Sequence, residues 1–154
     1  MKKSVFYHAG CPVCVNAENE ILELLDPATV EVVHLGDCFD VRKGIDYWSL
    51  DWAKRVFFDP LRERGIKLHL IVGNHDIYYK NTSQVNSLTE LLGNRHNNIH
   101  IYEDATEVEF DGLPILLMPW INSTNEIYAE GMIDETQAEV CMGHLEINGF
   151  QMNK

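Results

Sequence analysis

Apolar residues along this chain fall into short runs, and three of these runs end directly before a cluster of glycine and polar residues. The runs cover residues 30–35, 67–72 and 139–142, and they are rich in Val, Ile and Leu. Runs of this length and composition are typical of strands that are buried on both faces of a parallel sheet. The pattern therefore predicts three parallel strands, each followed by a polar loop.

The first 35 residues have the pattern of a strand, a helix and a second strand. A short apolar run covers residues 4–8, and the following segment places four apolar residues on one helical face: Ala17, Ile21, Leu24 and Leu25. The helix ends at Asp26-Pro27, because the residue before proline is disfavoured in helical geometry. We expect a right-handed βαβ unit over this part of the chain.

The rest of the chain continues to alternate between helices and strands. A helix is predicted over residues 46–64, with Ala53, Val56, Phe57 and Leu61 toward the sheet and a kink or break at Pro60. A short helix is predicted at 89–92, strands at 99–102, 107–110 and 114–118, and a polar loop with room for a short helix at 122–137. The fold class is α/β, with a mixed sheet and flanking helices.

Chain length, net charge and the lengths of the apolar runs disfavour several classes of protein. The chain has 154 residues, enough for one domain with a hydrophobic core, and a formal net charge of −12. This charge argues against a broad basic groove, so any nucleic-acid contact should be local, metal-mediated or supplied by a partner. No apolar run approaches the roughly 18 residues of a membrane span, and the run after Met1-Lys2-Lys3 is too short for a signal peptide. We expect a cytoplasmic protein without membrane contact.

The three polar clusters contain side chains that bind metal ions. They are Gly36-Asp37-Cys38-Phe39-Asp40, Gly73-Asn74-His75-Asp76 and Gly143-His144. Ligands of open α/β sheets gather beyond the carboxyl ends of the strands, so the clusters should meet at one sheet edge. Asp37, Asn74 and His144 are candidate ligands for an ion of the Mn, Fe or Zn class. Each alone is more often an N-cap, a turn residue or a boundary histidine.

His75 is assigned a different role from its neighbours. Adjacent side chains point in different directions, so His75 is poorly placed to face the ion that Asn74 faces. It is better placed to meet a scissile phosphate and to protonate the leaving oxygen. The residues together predict a metal-assisted phosphoester hydrolase.

The clusters resemble the signature of the calcineurin-like metallophosphoesterases: Asp-x-His, Gly-Asp-x-x-Asp, Gly-Asn-His-Asp/Glu, Gly-His and Gly-x-His. Residues 37–43, 65–82, 119–120 and 143–150 look like DNA-repair exonuclease subunits of the SbcD type, particularly the recombination endonuclease subunits of T-even-like phages. The resemblance covers roughly residues 35–154. It implies that Asp37 bridges two Mn²⁺ ions, that Asn74 and His144 bind one of them, and that His75 acts on the leaving group. It also implies DNA as substrate and an SbcC-like ATPase subunit as partner.

Two signature motifs are missing from the 154 residues. The first strand ends in Phe6-Tyr7-His8 without the Asp-x-His pattern, where His8 is a substitute ligand at best, and no Gly-x-His follows residue 144. We therefore expect an incomplete metallophosphoesterase-type sandwich over residues 36–154, a single Mn²⁺ site, and weak or no catalysis by this chain alone.

Residues 1–35 resemble the start of a thioredoxin-like protein, packed into the same domain. Cys11-Pro12-Val13-Cys14 lies between the predicted strand and helix. A helix N-terminus favours the thiolate, which makes Cys11 the candidate nucleophile and Cys14 the resolving thiol. Thiol–disulfide exchange is thus the alternative function, and an inactive, partly folded fragment is the third.

Overall fold

Seven strands form two sheets in the computed structural model, which describes residues 3–7, 30–93 and 96–149. The first sheet is parallel throughout, with the strands in sequence order: β1 (Lys3–Tyr7), β2 (Val30–His34), β3 (Lys67–Ile71) and β4 (Ile99–Tyr102). The second sheet is mixed, because β5 (Thr106–Phe110) pairs antiparallel with β6 (Leu113–Met118) and β6 pairs parallel with β7 (Val140–Gly143).

The helix predicted over 46–64 runs as three consecutive segments. These are α1 (Tyr47–Ala53), a π-helical segment (Lys54–Phe58) and α2 (Asp59–Glu63), with Pro60 in the first turn of α2. A π-helical turn closes its hydrogen bond over five residues, which shifts the following side chains around the helix axis. Phe58 is consequently buried beside the predicted Leu61, whereas Val56 is only half-buried.

Two further helices complete the described fold: α3 (Ser87–Leu92) and α4 (Glu126–Glu135). The second occupies most of the segment predicted as a polar loop. Ala129 is the one buried residue of α4, so the helix lies largely at the surface. A helix with little buried surface needs no strong apolar periodicity, which explains why the pattern only left room for a short helix.

Two of the three apolar clusters among the described residues lie on the two faces of the first sheet. On one face of the first sheet, residues of β2 and β3 and the adjoining Val72 pack against helical residues: Val32, Leu68, Leu70 and Val72 with Phe58, Leu61, Leu88 and Leu92. On the opposite face, Val33 and Ile71 share a cluster with Phe110, Ile115 and Leu117 of the second sheet. The α/β class is therefore confirmed, with the mixed strands in a second sheet rather than within the first.

The amino-terminal predictions are only partly accessible to comparison. Strands β1 and β2 pair in parallel from Lys3 with Val30 to Tyr7 with His34, as a βαβ unit requires. His8, Cys11, Cys14 and the predicted helix lie outside the described residues, so the thioredoxin-like assignment and the division at residue 35 stay predictions. No helix among the described residues is long and apolar enough to cross a membrane.

Candidate metal centre

The loops after β2, β3 and β7 converge at one end of the two sheets. The Trp120 N–H donates to the Val72 carbonyl over 2.8 Å, and the His144 N–H donates to the Met118 carbonyl over 2.9 Å. The first bond joins the end of the first sheet to the end of the second, and the second bond extends the β6–β7 pairing within the second sheet. The three polar clusters therefore meet, but across two sheets and not at the edge of a single one.

Asp37, Asn74 and His144 form a compact group, called here the donor trio. The His144 Nε2 atom lies 2.9 Å from Asn74 Oδ1 and 3.3 Å from Asp37 Oδ2. All three side chains are partly buried. Residues 37, 74 and 144 lie far apart in the chain, and their three polar atoms nevertheless point at a shared space.

The contact made by the other ring nitrogen of His144 indicates which group can lie between Nε2 and the two oxygens. Its Nδ1 lies 2.8 Å from the Leu35 carbonyl oxygen, which only accepts hydrogen bonds. Nδ1 therefore carries a proton, and Nε2 of the neutral ring presents a lone pair toward two oxygen acceptors. Either a second proton or a metal cation must lie between them. An Nδ1–H donated to a backbone carbonyl is also the usual outer contact of a metal-binding histidine.

The pKa values of the donor trio reflect the same arrangement. The hydrogen bond to Asp37 raises the pKa of His144, although burial acts in the opposite direction. Burial alone would raise the pKa of Asp37, but the hydrogen bonds from His144 and from the His75 N–H outweigh it and lower the pKa. The space thus attracts positive charge.

Asp76, the last residue of the second cluster, holds the two first-sheet loops together. Its side chain is fully buried, and Oδ2 accepts the N–H groups of Gly73 and Asp37, both over 2.8 Å. Oδ1 accepts the Cys38 N–H over 3.1 Å and the Ser87 hydroxyl over 3.3 Å. We call this arrangement the Asp76 clamp. Its pKa is raised by burial, against the opposing N–H donors.

Sequence reasoning named Asp76 as part of a motif but gave it no role. The usable signal was its position in a tight loop, where successive backbone N–H groups lack strand partners and need an acceptor.

Two glycines allow the loops to approach each other. Gly36 and Asp37 both have positive φ, at 84° and 53°, which turns the chain sharply after β2. A Cβ on Gly36 would lie 2.7 Å from His144 Nδ1, and a Cβ on Gly73 would lie 2.3 Å from both N and Oδ1 of Asp37. A side chain at either position would push the donor trio apart.

His75 lies beside the donor trio but its ring bonds elsewhere. Its backbone N–H donates to Asp37 Oδ1 over 2.7 Å, while ring Nδ1 lies 2.6 Å from the Asp40 carbonyl. The carbonyl only accepts, so Nδ1 carries a proton and Nε2 is the nitrogen that can exchange one with a bound molecule. The side chain is 42% exposed, so the ring is accessible to such a molecule.

Within the described ranges, no three His, Cys, Asp or Glu side chains cluster in a way that would hold a metal ion. The donor trio has two residues of those types, and its third donor is the neutral Asn74 oxygen. One carboxylate, one amide oxygen and one imidazole are enough ligands for an ion that keeps several waters.

Comparison with known proteins gives one informative relative. No protein-family model matches the chain. Over 124 residues the chain is 42% identical to exonuclease subunit 1 of Enterobacteria phage T4, an alignment that covers 79% of this chain and 35% of that protein. The chain thus spans about a third of the length of the curated relative it matches.

Proposed function

We propose that this chain carries the active-site region of a metal-dependent phosphodiester hydrolase, of the kind found in DNA-repair and recombination exonuclease subunits. The observation that carries the proposal is that Asn74 Oδ1 and Asp37 Oδ2 lie 2.9 Å and 3.3 Å from His144 Nε2. The similarity to a phage T4 exonuclease subunit supports the same reaction class.

Mn²⁺ is the proposed ion, and the donor trio would hold it. Oxygen and imidazole donors suit Mn²⁺, and thiolates, which select softer ions, are absent from the donor trio. The Leu35 carbonyl would orient His144, and the His75 N–H would orient Asp37, so two of the three donors have an outer contact that keeps them in place.

The protein groups around the ion have separate tasks in this proposal. When bound, Mn²⁺ supplies positive charge that polarises a phosphoryl oxygen and acidifies water. The Asp40 carbonyl holds the Nδ1–H of the His75 ring, so the doubly protonated ring would pass its Nε2 proton to the leaving oxygen of the ester and become neutral. The Asp76 clamp keeps Asp37 and Asn74 on neighbouring loops at the required separation.

Weak or no hydrolysis is expected from these 154 residues alone. Two ions normally act together in this type of reaction, and the donor trio would hold one of them, with Asp37 as the carboxylate that a second ion could share. DNA as substrate and an SbcC-like ATPase subunit as partner belong to the same proposal. A partner would supply the broad positive surface that a chain with a net charge of −12 lacks.

Mn²⁺ binding is the most direct test of the proposed centre. We expect micromolar binding by calorimetry, lost by more than about 100-fold in His144→Ala and Asp37→Ala, since even outer contacts of a ligand contribute 10- to 100-fold. Asp134→Asn, an exposed carboxylate on α4, is the matched control and should bind normally. Absence of micromolar binding in the native chain would refute the metal centre, as would normal binding by His144→Ala.

The role of His75 is tested by changing the leaving group. At high protein concentration, His75→Ala should lower residual hydrolysis of a dinucleotide by about 100-fold or more and leave Mn²⁺ affinity nearly unchanged. Hydrolysis of a p-nitrophenyl ester, whose leaving group needs no proton, should fall much less. The exposed His100→Ala is the control. An equal loss on both substrates would remove His75 from the role of general acid.

A further inference from the structure

Two exposed tyrosines follow directly on the loop that carries Asn74 and His75. Tyr78 is 40% exposed and Tyr79 is 53% exposed. Their rings contact each other edge to face, with centroids 4.8 Å apart. Neither ring belongs to an apolar core cluster, so packing inside the protein does not account for the pair.

The loop that presents these rings is held firmly. The Tyr78 N–H donates to the Val85 carbonyl over 2.9 Å, which closes the base of the loop. Farther along, the buried Asn122 side chain donates to the Ser83 hydroxyl over 2.9 Å, and the Ser123 hydroxyl donates to the Asn81 carbonyl over 3.3 Å. Exposed rings on a fixed support lose little conformational entropy when they bind a partner.

Two lysine side chains lie close to the Tyr78 and Tyr79 rings. Lys43 Nζ lies 5.1 Å from the centroid of the Tyr78 ring, and Lys80 is exposed directly after Tyr79. The segment that carries Lys43 also carries Asp40, whose carbonyl bonds to the His75 ring. A chain with a net charge of −12 therefore places cations and aromatic rings next to the proposed site of hydrolysis.

We propose that Tyr78, Tyr79, Lys43 and Lys80 form a platform on which the unpaired bases of a single-stranded DNA end stack. This tyrosine platform would lead the strand toward His75 and the donor trio, and it rests on the proposed function. Aromatic rings stack on the faces of unpaired bases, while nearby lysines attract the phosphates. Bases inside a duplex have no free face, so the platform would favour single strands and frayed ends.

Binding to labelled DNA in EDTA tests the platform without any contribution from metal. By fluorescence anisotropy, an oligo-dT of about 15 nucleotides should bind more tightly than a blunt duplex of equal length. Tyr78→Ala and Tyr79→Ala should each lower its affinity about tenfold, whereas Tyr→Phe at either position should keep it, because the ring is retained. Tyr128→Ala, a similarly exposed tyrosine on α4, should have no effect.

The charges are tested by the salt dependence of the same binding. Lys43→Gln and Lys80→Gln should each reduce the slope of log affinity against log salt by about 0.7 for a single strand.

Three results would overturn the proposal: no oligo-dT binding at about 10⁻⁴ M protein, equal or tighter binding of the blunt duplex, or the same loss in the Phe and Ala variants. A platform that binds a protein partner instead would give the first result. The Mn²⁺ titration of the native chain tests the metal centre by a separate measurement, so failure of the platform can be distinguished from failure of the proposed function.

Discussion

Replacing Asp76 with asparagine should destabilise the fold by about 2–4 kcal/mol and weaken Mn²⁺ binding at the same time. The Asp76 carboxylate is fully buried and accepts three backbone N–H groups and one hydroxyl. An amide keeps one oxygen, but its NH₂ group then faces at least one backbone N–H, two donors in contact. The unsatisfied donors remain buried, which is what makes the change costly.

Urea denaturation of the native chain and of Asp76→Asn measures this effect as a shift in the midpoint. Asp134→Asn on the exposed side of α4 is the matched control, and its midpoint should not change. Burial raises the pKa of Asp76, and the backbone N–H donors act in the opposite direction, so losing one acceptor removes part of what favours the carboxylate. A variant as stable as the native chain would contradict the clamp as described.

Replacing Gly73 with alanine should separate the two first-sheet loops and abolish the proposed metal site. The new Cβ would lie 2.3 Å from both the backbone N and Oδ1 of Asp37, and backbone atoms cannot move aside as the end of a flexible side chain can. We expect a loss of stability of about 3 kcal/mol and a loss of Mn²⁺ affinity of about 100-fold.

Gly131→Ala is the control for this change. Gly131 lies inside α4 with no atom near the position of a Cβ, so alanine there should stabilise the fold by about 0.5–1 kcal/mol. Denaturation and Mn²⁺ titration on both variants give the comparison. If Gly73→Ala bound Mn²⁺ like the native chain, close approach of the loops would not be what builds the site.

Local pattern was sufficient for most strands. The apolar runs at 30–35, 67–72 and 139–142 became β2, β3 and β7 with shifts of one residue at their ends. Dense β-branched residues bounded by turn signals have few other stable arrangements. The surface helix α4 was foreseen only as a short helix within a polar loop, since a helix with only Ala129 buried has little apolar pattern to detect.

Pairing between distant strands was not readable from the same pattern. Residues 139–142 have the composition of a buried strand, but this local composition does not specify which strand they pair with or which sheet they join. Strand β7 joins β6 in the second sheet, and β7 still delivers His144 to the loops of the first. The π-helical segment was also not predictable from the local pattern. Its one altered turn brought Phe58 into the core.

By itself, the sequence determined where most strands and the loops after them lie. It also identified the candidate residues of the proposed site in those loops: Asp37, Asn74, His75 and His144. Only the tertiary structure decided how they meet. The bond from His144 Nδ1 to Leu35, the Asp76 clamp and the contact of Gly73 with Asp37 all join segments far apart in the chain. Composition and periodicity describe only a few neighbouring residues. The hydrogen bonds and contacts between distant segments form only when the two sheets have packed together.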